Sequence, residues 1–449
     1  MTELENEQIE KNFAEINPAM TAAEAAIEAN RCLYCYNAPC MHACPTHIDV
    51  PSFIKKIASG NLHGSARVIF DANPIGATCA RVCPVDVLCE GACVEKTLLK
   101  KPIEIGRLQR HATDHAMKSE RQIFPKGEKN GRSVGVVGSG PAGLSCATYL
   151  ARLGYDVTVY ERRALAGGLD TYGMAEYKMS QSVSLEEVEQ VERLGVEFKL
   201  LTEIVGNDSS PESSTQIPFA KLTHDHDAVF LAVGLGETKS LSIPGEQLDG
   251  VYDALQFIEK IKTRDWQDVP LGKNVVVIGA GNTAIDAVTQ AKRLGAERVM
   301  MIYRRTENDI PAYQYEYELA KKDGVEFVWE TFPTEILGNG RVNGLRVTKH
   351  DGSTVEIACD IVIKAIGQQK MLSFFESVAG VATDEKGRVV VNQHARTSVP
   401  KIFAGGDCVN GGSEAVDASQ MGKLAAQGIH LELTGESVNF AGTTFIPSA

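Results

Sequence analysis

Residues 133–161 read SVGVVGSGPAGLSCATYLARLGYDVTVYE. A β-branched run ends at Gly138, and Gly138, Gly140 and Gly143 stand at the spacing of a strand that turns sharply into a helix. The helical pattern continues to Gly154. A second strand, DVTVY, follows and ends at Glu161, 23 residues after Gly138. Glycine allows the tight turn and a close approach of backbone to a pyrophosphate, which the helix N-terminus faces with free N–H groups. An acid at the end of the second strand can accept from ribose hydroxyls. A strand–turn–helix that binds nothing is the plainer alternative, and the spacing together with the acid argues against it.

The same grammar returns downstream. NVVVIG (274–279) leads into Gly279-Ala280-Gly281-Asn282-Thr283-Ala284, and the next strand, VMMIY, ends in Arg304-Arg305 rather than in an acid. Arginines there suit a 2′-phosphate, hence NADPH, although a solvated surface pair is the alternative. Two more strands end in glycine, AVFLAVG (228–234) and IVIKAIG (361–367). They mark where the chain leaves the first nucleotide fold and returns to it, so the second fold is expected to be inserted within the first. IFAGGD (402–407) reads as a strand followed by a helix from about Glu414. Asp407 is placed there to hold a ribityl hydroxyl near a helix N-terminus.

The bulk numbers bound the rest. The chain has 449 residues, enough for about three domains of ~150 residues. A net charge of −13 argues against nucleic acid as a partner. No apolar run is long enough to cross a membrane, and the acidic N-terminus lacks the features of a secretion signal, so a cytoplasmic location is expected.

Eight of the eleven cysteines fall between Cys32 and Cys93. They form two groups, Cys32-x2-Cys35-x4-Cys40-x3-Cys44-Pro45 and Cys79-x3-Cys83-Pro84-x4-Cys89-x3-Cys93. In a reducing compartment such grouping indicates metal rather than disulfides. Structural zinc is one reading. The Cys-Pro steps and the flavin-type folds downstream favour iron–sulfur, because zinc carries no electrons. Cys146, Cys359 and Cys408 are isolated and read as structural.

With these motifs assembled, the chain resembles the two-dinucleotide-binding flavoprotein reductases. The disulfide-reducing branch is unexpected, because Gly167-Gly168-Leu169-Asp170-Thr171-Tyr172-Gly173 contains no cysteine. Nearly the whole chain is similar to a narrower group. It contains the glutamate synthase small subunit, the large subunit of the bifurcating NADH-dependent ferredoxin:NADP oxidoreductase, and dihydropyrimidine dehydrogenase. The gap from Cys83 to Cys89, the sequence Ile105-Gly106-Arg107-Leu108-Gln109 and the run CPTHIDVPSFIKKIASGN (44–61) resemble the flavin/iron–sulfur subunit of bacterial NAD(P)-dependent dihydropyrimidine dehydrogenase.

That resemblance implies an α/β fold: two nested dinucleotide-binding domains, for FAD and NAD(P), preceded by an α-helical domain with two [4Fe–4S] clusters. The expected divisions are 1–125 for the helical domain, 131–238 with 367–449 for FAD, and 239–366 for NAD(P)H. It implies cluster ligands Cys32, Cys35, Cys40 and Cys93 in one set and Cys44, Cys83, Cys89 and Gln109 in the other, with Cys79 a ligand of neither. FAD would contact Ser139, Gly140, Pro141, Ala142, Gly143, Glu161, Gly168, Leu169, Lys178 and Asp407. The nicotinamide dinucleotide would contact Ala280, Gly281, Asn282, Thr283, Arg304 and Arg305. Ile204, Ala365, Ile366, Gly367 and Gly406 complete the cofactor-binding set. Pro311, where the fused NADPH enzyme carries a basic residue, leaves NADH and NADPH both open. The implied function is electron input from NAD(P)H to a partner subunit with FMN and iron–sulfur centres that reduces uracil or thymine. A glutamate synthase small subunit or an NAD(P)H:ferredoxin-type oxidoreductase subunit is the alternative. No acid–base residue is expected in this chain, because the flavin carries the chemistry.

Overall fold

The β-branched runs that opened the reading become the centres of two parallel sheets, one in each of two compact units. The computed structural model describes residues 4–119, 121–207, 213–264, 269–378 and 380–442. One unit is built from residues 17–171, 182–235 and 370–449, and the other from 1–16, 172–181 and 236–369. Among the described residues, no helix is long and apolar enough to cross a membrane.

In the first unit the strand Ser133–Val137 pairs in parallel with Asp156–Tyr160 on one side and Ala228–Leu231 on the other. Ile402–Ala404 and Glu197–Lys199 form the two edges of this five-stranded sheet. Val134, Val136 and Phe230 are buried, as expected for strands covered on both faces. The helices Pro141–Arg152 and Ala415–Thr434 lie in direct backbone contact. A Cβ on Gly422 would stand 2.1 Å from the Ala142 carbonyl oxygen, so glycine is what permits this approach.

The cysteine-bearing helices belong to the same unit. Thr21 and Glu24 cap the helix Ala22–Asn30 reciprocally, and the Asp49 side chain accepts from Ser52 N at the start of Val50–Ala58. Phe53, Ile54, Ile57, Ile69 and Leu108 form the apolar core of these helices, and Cys32, Cys40, Cys44, Cys89 and Cys93 pack around it.

The second unit holds another five-stranded parallel sheet, in the order Glu326–Val328, Arg298–Ile302, Asn274–Ile278, Ile361–Lys364, Val251–Asp253. A three-stranded antiparallel sheet (Thr331–Gly338, Val342–Lys349, Thr354–Ala358) covers one face, with Ile336, Leu345 and Val347 packed against Val276 and Met300. The helix Asn6–Asn12 is part of this unit: Ile9 and Phe13 are buried in its core with Ala287, Ala291 and Leu294. Asn12 Nδ2 donates to the Arg293 carbonyl at 2.8 Å.

Candidate cofactor and cluster sites

The first glycine turn is shaped by what a side chain would strike. Gly138 has φ +96°, and a Cβ there would meet the Ala232 carbonyl oxygen at 2.4 Å. A Cβ on Gly143 would meet the Gly138 oxygen at 2.1 Å. Gly140 faces open space apart from Gly168, whose own Cβ would lie 2.7 Å from Gly140 Cα. Gly140 caps the helix Pro141–Arg152 without any side-chain hydrogen bond, so the N-terminal N–H groups of Ala142 and Gly143 face that space. Glu161 is buried. Its Oε2 accepts from Ser139 N at 3.1 Å and Ser139 Oγ at 2.6 Å, and its Oε1 from Arg163 N at 2.9 Å. A carboxylate has about four acceptor positions, so Glu161 keeps capacity for a ribose. Gly406 (φ +76°) and Asp407 follow the edge strand Ile402–Ala404. Burial raises the Asp407 carboxyl, which accepts from Ser413 N at 3.3 Å. Leu169 opens the short helix Leu169–Tyr172 next to Gly168, and Ile204 is buried beside Val137 and Tyr160.

Lys178 belongs to the other unit. Its ammonium is buried between Asp286 and Glu316, at 2.7 Å from each, and these carboxylates hold its pKa above the ordinary lysine value although burial opposes them.

The second glycine turn repeats the pattern. Gly279 has φ +129°, with the Ala365 carbonyl oxygen 2.2 Å from a would-be Cβ. Gly281 has nothing within 4 Å and caps the helix Asn282–Arg293 without a side-chain hydrogen bond. Ala280 is buried, Thr283 is exposed, and Asn282 Oδ1 accepts from Tyr313 N at 3.1 Å. Ala365, Ile366 and Gly367 follow the strand Ile361–Lys364, and Gly367 (φ +85°) opens onto free space. Arg304 and Arg305 lie exposed just past the strand Arg298–Ile302, and neither forms an ion pair among the described residues.

Cys32, Cys35, Cys40 and Cys93 line one cavity enclosing about 370 Å³ of atom-free space, with Val50, Ile54, Ile103 and Ile105 among its walls. Burial pushes the Cys40 thiol up to about 12, with Cys93 and Cys32 adding to the shift. Burial likewise raises the Cys32 thiol, and a thiolate in apolar surroundings is costly without a cation beside it. The site therefore has the donor chemistry of a thiolate-bound iron cluster. Among the described residues, no three His, Cys, Asp or Glu side chains converge tightly enough for a single metal ion. A cubane spreads its ligands around four irons and needs a cavity between them.

The Cys83 thiol is pushed up by its contact with the Cys79 thiol and by burial, with Cys44 and Cys89 adding to the shift, and the Cys89 thiol by burial and Glu90, with Cys44 adding. Gln109, on the helix Ile105–Lys118, donates through Nε2 to the Gly76 carbonyl at 2.7 Å. Its Oε1 has no donor among the described residues. Cys79 is fully buried and its sulfur accepts from Asn73 Nδ2 at 3.1 Å. All eleven cysteines are free.

One residue escaped the sequence reading. Glu187 is buried and accepts from Ala77 N (2.7 Å), Thr78 N (3.1 Å) and Thr78 Oγ (2.5 Å), at the start of the helix Gly76–Val82 that leads to Cys83. The available signal was its place on the apolar stripe with Val183 and Val191, at helical spacing.

Two glycine-turn nucleotide folds and a cysteine-lined helical region in one chain define a class: pyridine-nucleotide flavoprotein oxidoreductases with an attached iron–sulfur domain. The chain belongs to the pyridine nucleotide-disulphide oxidoreductase family, which it matches over residues 132–422. Residues 9–121 match the dihydropyrimidine dehydrogenase domain II, 4Fe-4S cluster family. The cofactors that follow from this membership are FAD, a nicotinamide dinucleotide and 4Fe–4S iron.

Two kinds of relative run nearly full length. The chain is 34% identical to the NAD-dependent dihydropyrimidine dehydrogenase subunit PreT of Escherichia coli (strain K12), over 94% of this chain and 97% of the relative. It is 35% identical to the glutamate synthase [NADPH] small chain of the same strain, over 93% of each. Among solved structures, the thioredoxin reductase of T. acidophilum covers 67% of this chain and 98% of its own, with TM-score 0.55 and 25% identity.

Proposed function

We propose that this chain is the electron-input subunit of a heteromeric oxidoreductase: it takes electrons from NAD(P)H and delivers them to a partner that reduces the 5,6 double bond of uracil or thymine. The observation that carries the reading is the cavity walled by Cys32, Cys35, Cys40 and Cys93, in the same compact unit as the nucleotide fold that begins at Ser133. Three neighbouring cysteines and a fourth about fifty residues on, gathered on one apolar cavity, have no role in a simple nicotinamide reductase. The relative PreT, named as a dehydrogenase subunit, supports the partner.

FAD, when bound, would supply the chemistry that links a two-electron nicotinamide donor to one-electron clusters. The protein's part is position and charge. The N–H groups at the start of Pro141–Arg152 would neutralise the flavin pyrophosphate, Glu161 would hold the adenosine ribose, and Asp407 the ribityl chain. Gly281 would admit the nicotinamide pyrophosphate, and Arg304 and Arg305 would lie toward its ribose end. Cys32, Cys35, Cys40 and Cys93 would hold one cluster; Cys44, Cys83, Cys89 and Gln109 the other.

The 35% identity to a glutamate synthase small chain favours a second reading, delivery to a glutamate-forming partner. Both readings predict NAD(P)H oxidation with an artificial acceptor and no substrate reduction by the chain alone. The test is reconstitution with each partner type. Uracil reduction that needs the pyrimidine-reducing partner establishes the first reading. Glutamate formation from glutamine and 2-oxoglutarate only with a synthase partner transfers the assignment to the second. Uracil reduction by the isolated chain contradicts both.

A further inference from the structure

Lys423 has no exposed surface, although lysine is among the residues least often fully buried. It stands in the helix Ala415–Thr434 that follows Asp407. Its Nζ donates to the Thr46 carbonyl at 3.0 Å and the Ala441 carbonyl at 2.9 Å, and lies 5.9 Å from the centre of the Tyr149 ring. No carboxylate pairs with it among the described residues. A buried ammonium whose only partners are neutral is strongly disfavoured and needs a counter-charge.

The surroundings show where that counter-charge sits. Burial pulls Lys423 down to about 7, so the ammonium needs a negative partner to stay charged. Asp71, the nearby carboxylate, is already paired with Arg152 at 2.6 Å. Cys44 and Thr46 share one turn: Thr46 Oγ lies 3.3 Å from Cys44 Sγ, while the Thr46 carbonyl holds the ammonium. The turn that offers a thiol to the cluster site thus offers its carbonyl to a buried cation.

We infer that Lys423 is the counter-charge of the iron–sulfur centre held through Cys44, and that its positive charge, favoured in turn by the anionic centre, raises the reduction potential of that centre. The inference rests on the ligand reading given under Proposed function. Adding an electron to a cluster in a low-dielectric interior is eased by a nearby cation, and net charge around the cluster is among the levers that set its potential. A neutral amide at Gln109 in place of a fourth thiolate acts in the same direction. The centre beside Lys423 is therefore the more readily reduced of the two.

The test is a redox titration of the iron-loaded full chain, followed by electron paramagnetic resonance, in native protein and in Lys423→Gln, Lys423→Met and Lys423→Arg. Lys423→Gln is expected to keep its iron. One of the two cluster signals should become harder to reduce by a factor of ten or more, about 59 mV for one electron. The other signal should stay in place, and Lys423→Arg should resemble native protein. Full iron with unmoved potentials in Lys423→Gln overturns the inference, as does an equal fall of both signals. If both neutral variants lose iron while Lys423→Arg keeps it, the charge is what the cluster requires and the inference stands. Loss from all three makes Lys423 a structural tie and overturns it. Fewer than two cluster signals in native protein would instead refute the ligand reading, and is seen before any variant is compared.

Discussion

Glu187 stands in QSVSLEEVEQVER (181–193), a helix rich in acidic residues. Helical spacing puts it on the stripe of Val183 and Val191, but the groups it meets there, the N–H groups of Ala77 and Thr78, lie about a hundred residues earlier in the chain and are not local information. Burial pushes the Glu187 carboxyl from its ordinary 4.5 to about 8, against the three hydrogen bonds that lower it. Between these values the folded chain keeps a proton that the unfolded chain has released. Stability therefore falls as pH rises from about 4.5 towards 8 and levels off above, when this group is considered alone. Glu187→Gln keeps a carbonyl oxygen for the two backbone N–H groups and removes the titration. In denaturant melts of the iron-free chain, the variant should lose less stability than native protein between about pH 5 and pH 8, and at the upper end should equal or exceed it. Parallel pH profiles for the two proteins would show that Glu187 is ionised in the fold.

The strand–turn–helix elements were the most legible part of the chain. Their signal is local: a β-branched run, glycines at fixed spacing, then a helix, all within about thirty residues. Less legible was which glycine serves the fold and which serves a ligand, since both look alike in sequence. Geometry separates them. Gly279 needs positive φ and leaves no space for a methyl, so Gly279→Ala should destabilise the fold. Gly281 has φ −81° and nothing within 4 Å, so Gly281→Ala fits the cofactor-free protein without strain. Such a replacement restricts the unfolded chain and commonly adds about 0.4–1 kcal/mol of stability. The methyl would also occupy the space through which a pyrophosphate approaches the helix N-terminus. Gly281→Ala should therefore melt no lower than native protein, yet bind NADH and NADPH at least tenfold more weakly by titration calorimetry. Unchanged affinity would show that the dinucleotide does not use this turn.

At the scale of the molecule, the insertion of one nucleotide fold within another was readable from glycine-ended strands such as AVFLAVG and IVIKAIG. The destination of the first sixteen residues was not. They precede the cysteine block and belong by position to the helical region, but a helix of seven residues carries too few apolar positions to reveal its partner. The structure places Ile9 and Phe13 in the core of the unit that contains Gly281, among Ala287, Ala291 and Leu294. Ile16 N donates to the Tyr177 carbonyl at 3.0 Å, and Arg293 and Asn12 exchange hydrogen bonds. This unit is thus assembled from three separated segments, and removing apolar volume from the first of them leaves a cavity in the second nucleotide fold rather than around the cysteines. Ile9→Ala and Phe13→Ala should each cost about 2–5 kcal/mol in that unit, the usual range for emptying a packed core position. The expected signature is selective: a lower first melting transition and weaker NAD(P)H binding, with the iron content and the flavin absorbance of the other unit retained. Hydrogen exchange would localise it, with faster exchange in the helix Asn282–Arg293 and none gained in Val50–Ala58. Loss of iron before loss of nucleotide binding would mean that the N-terminal helix supports the cysteine region instead.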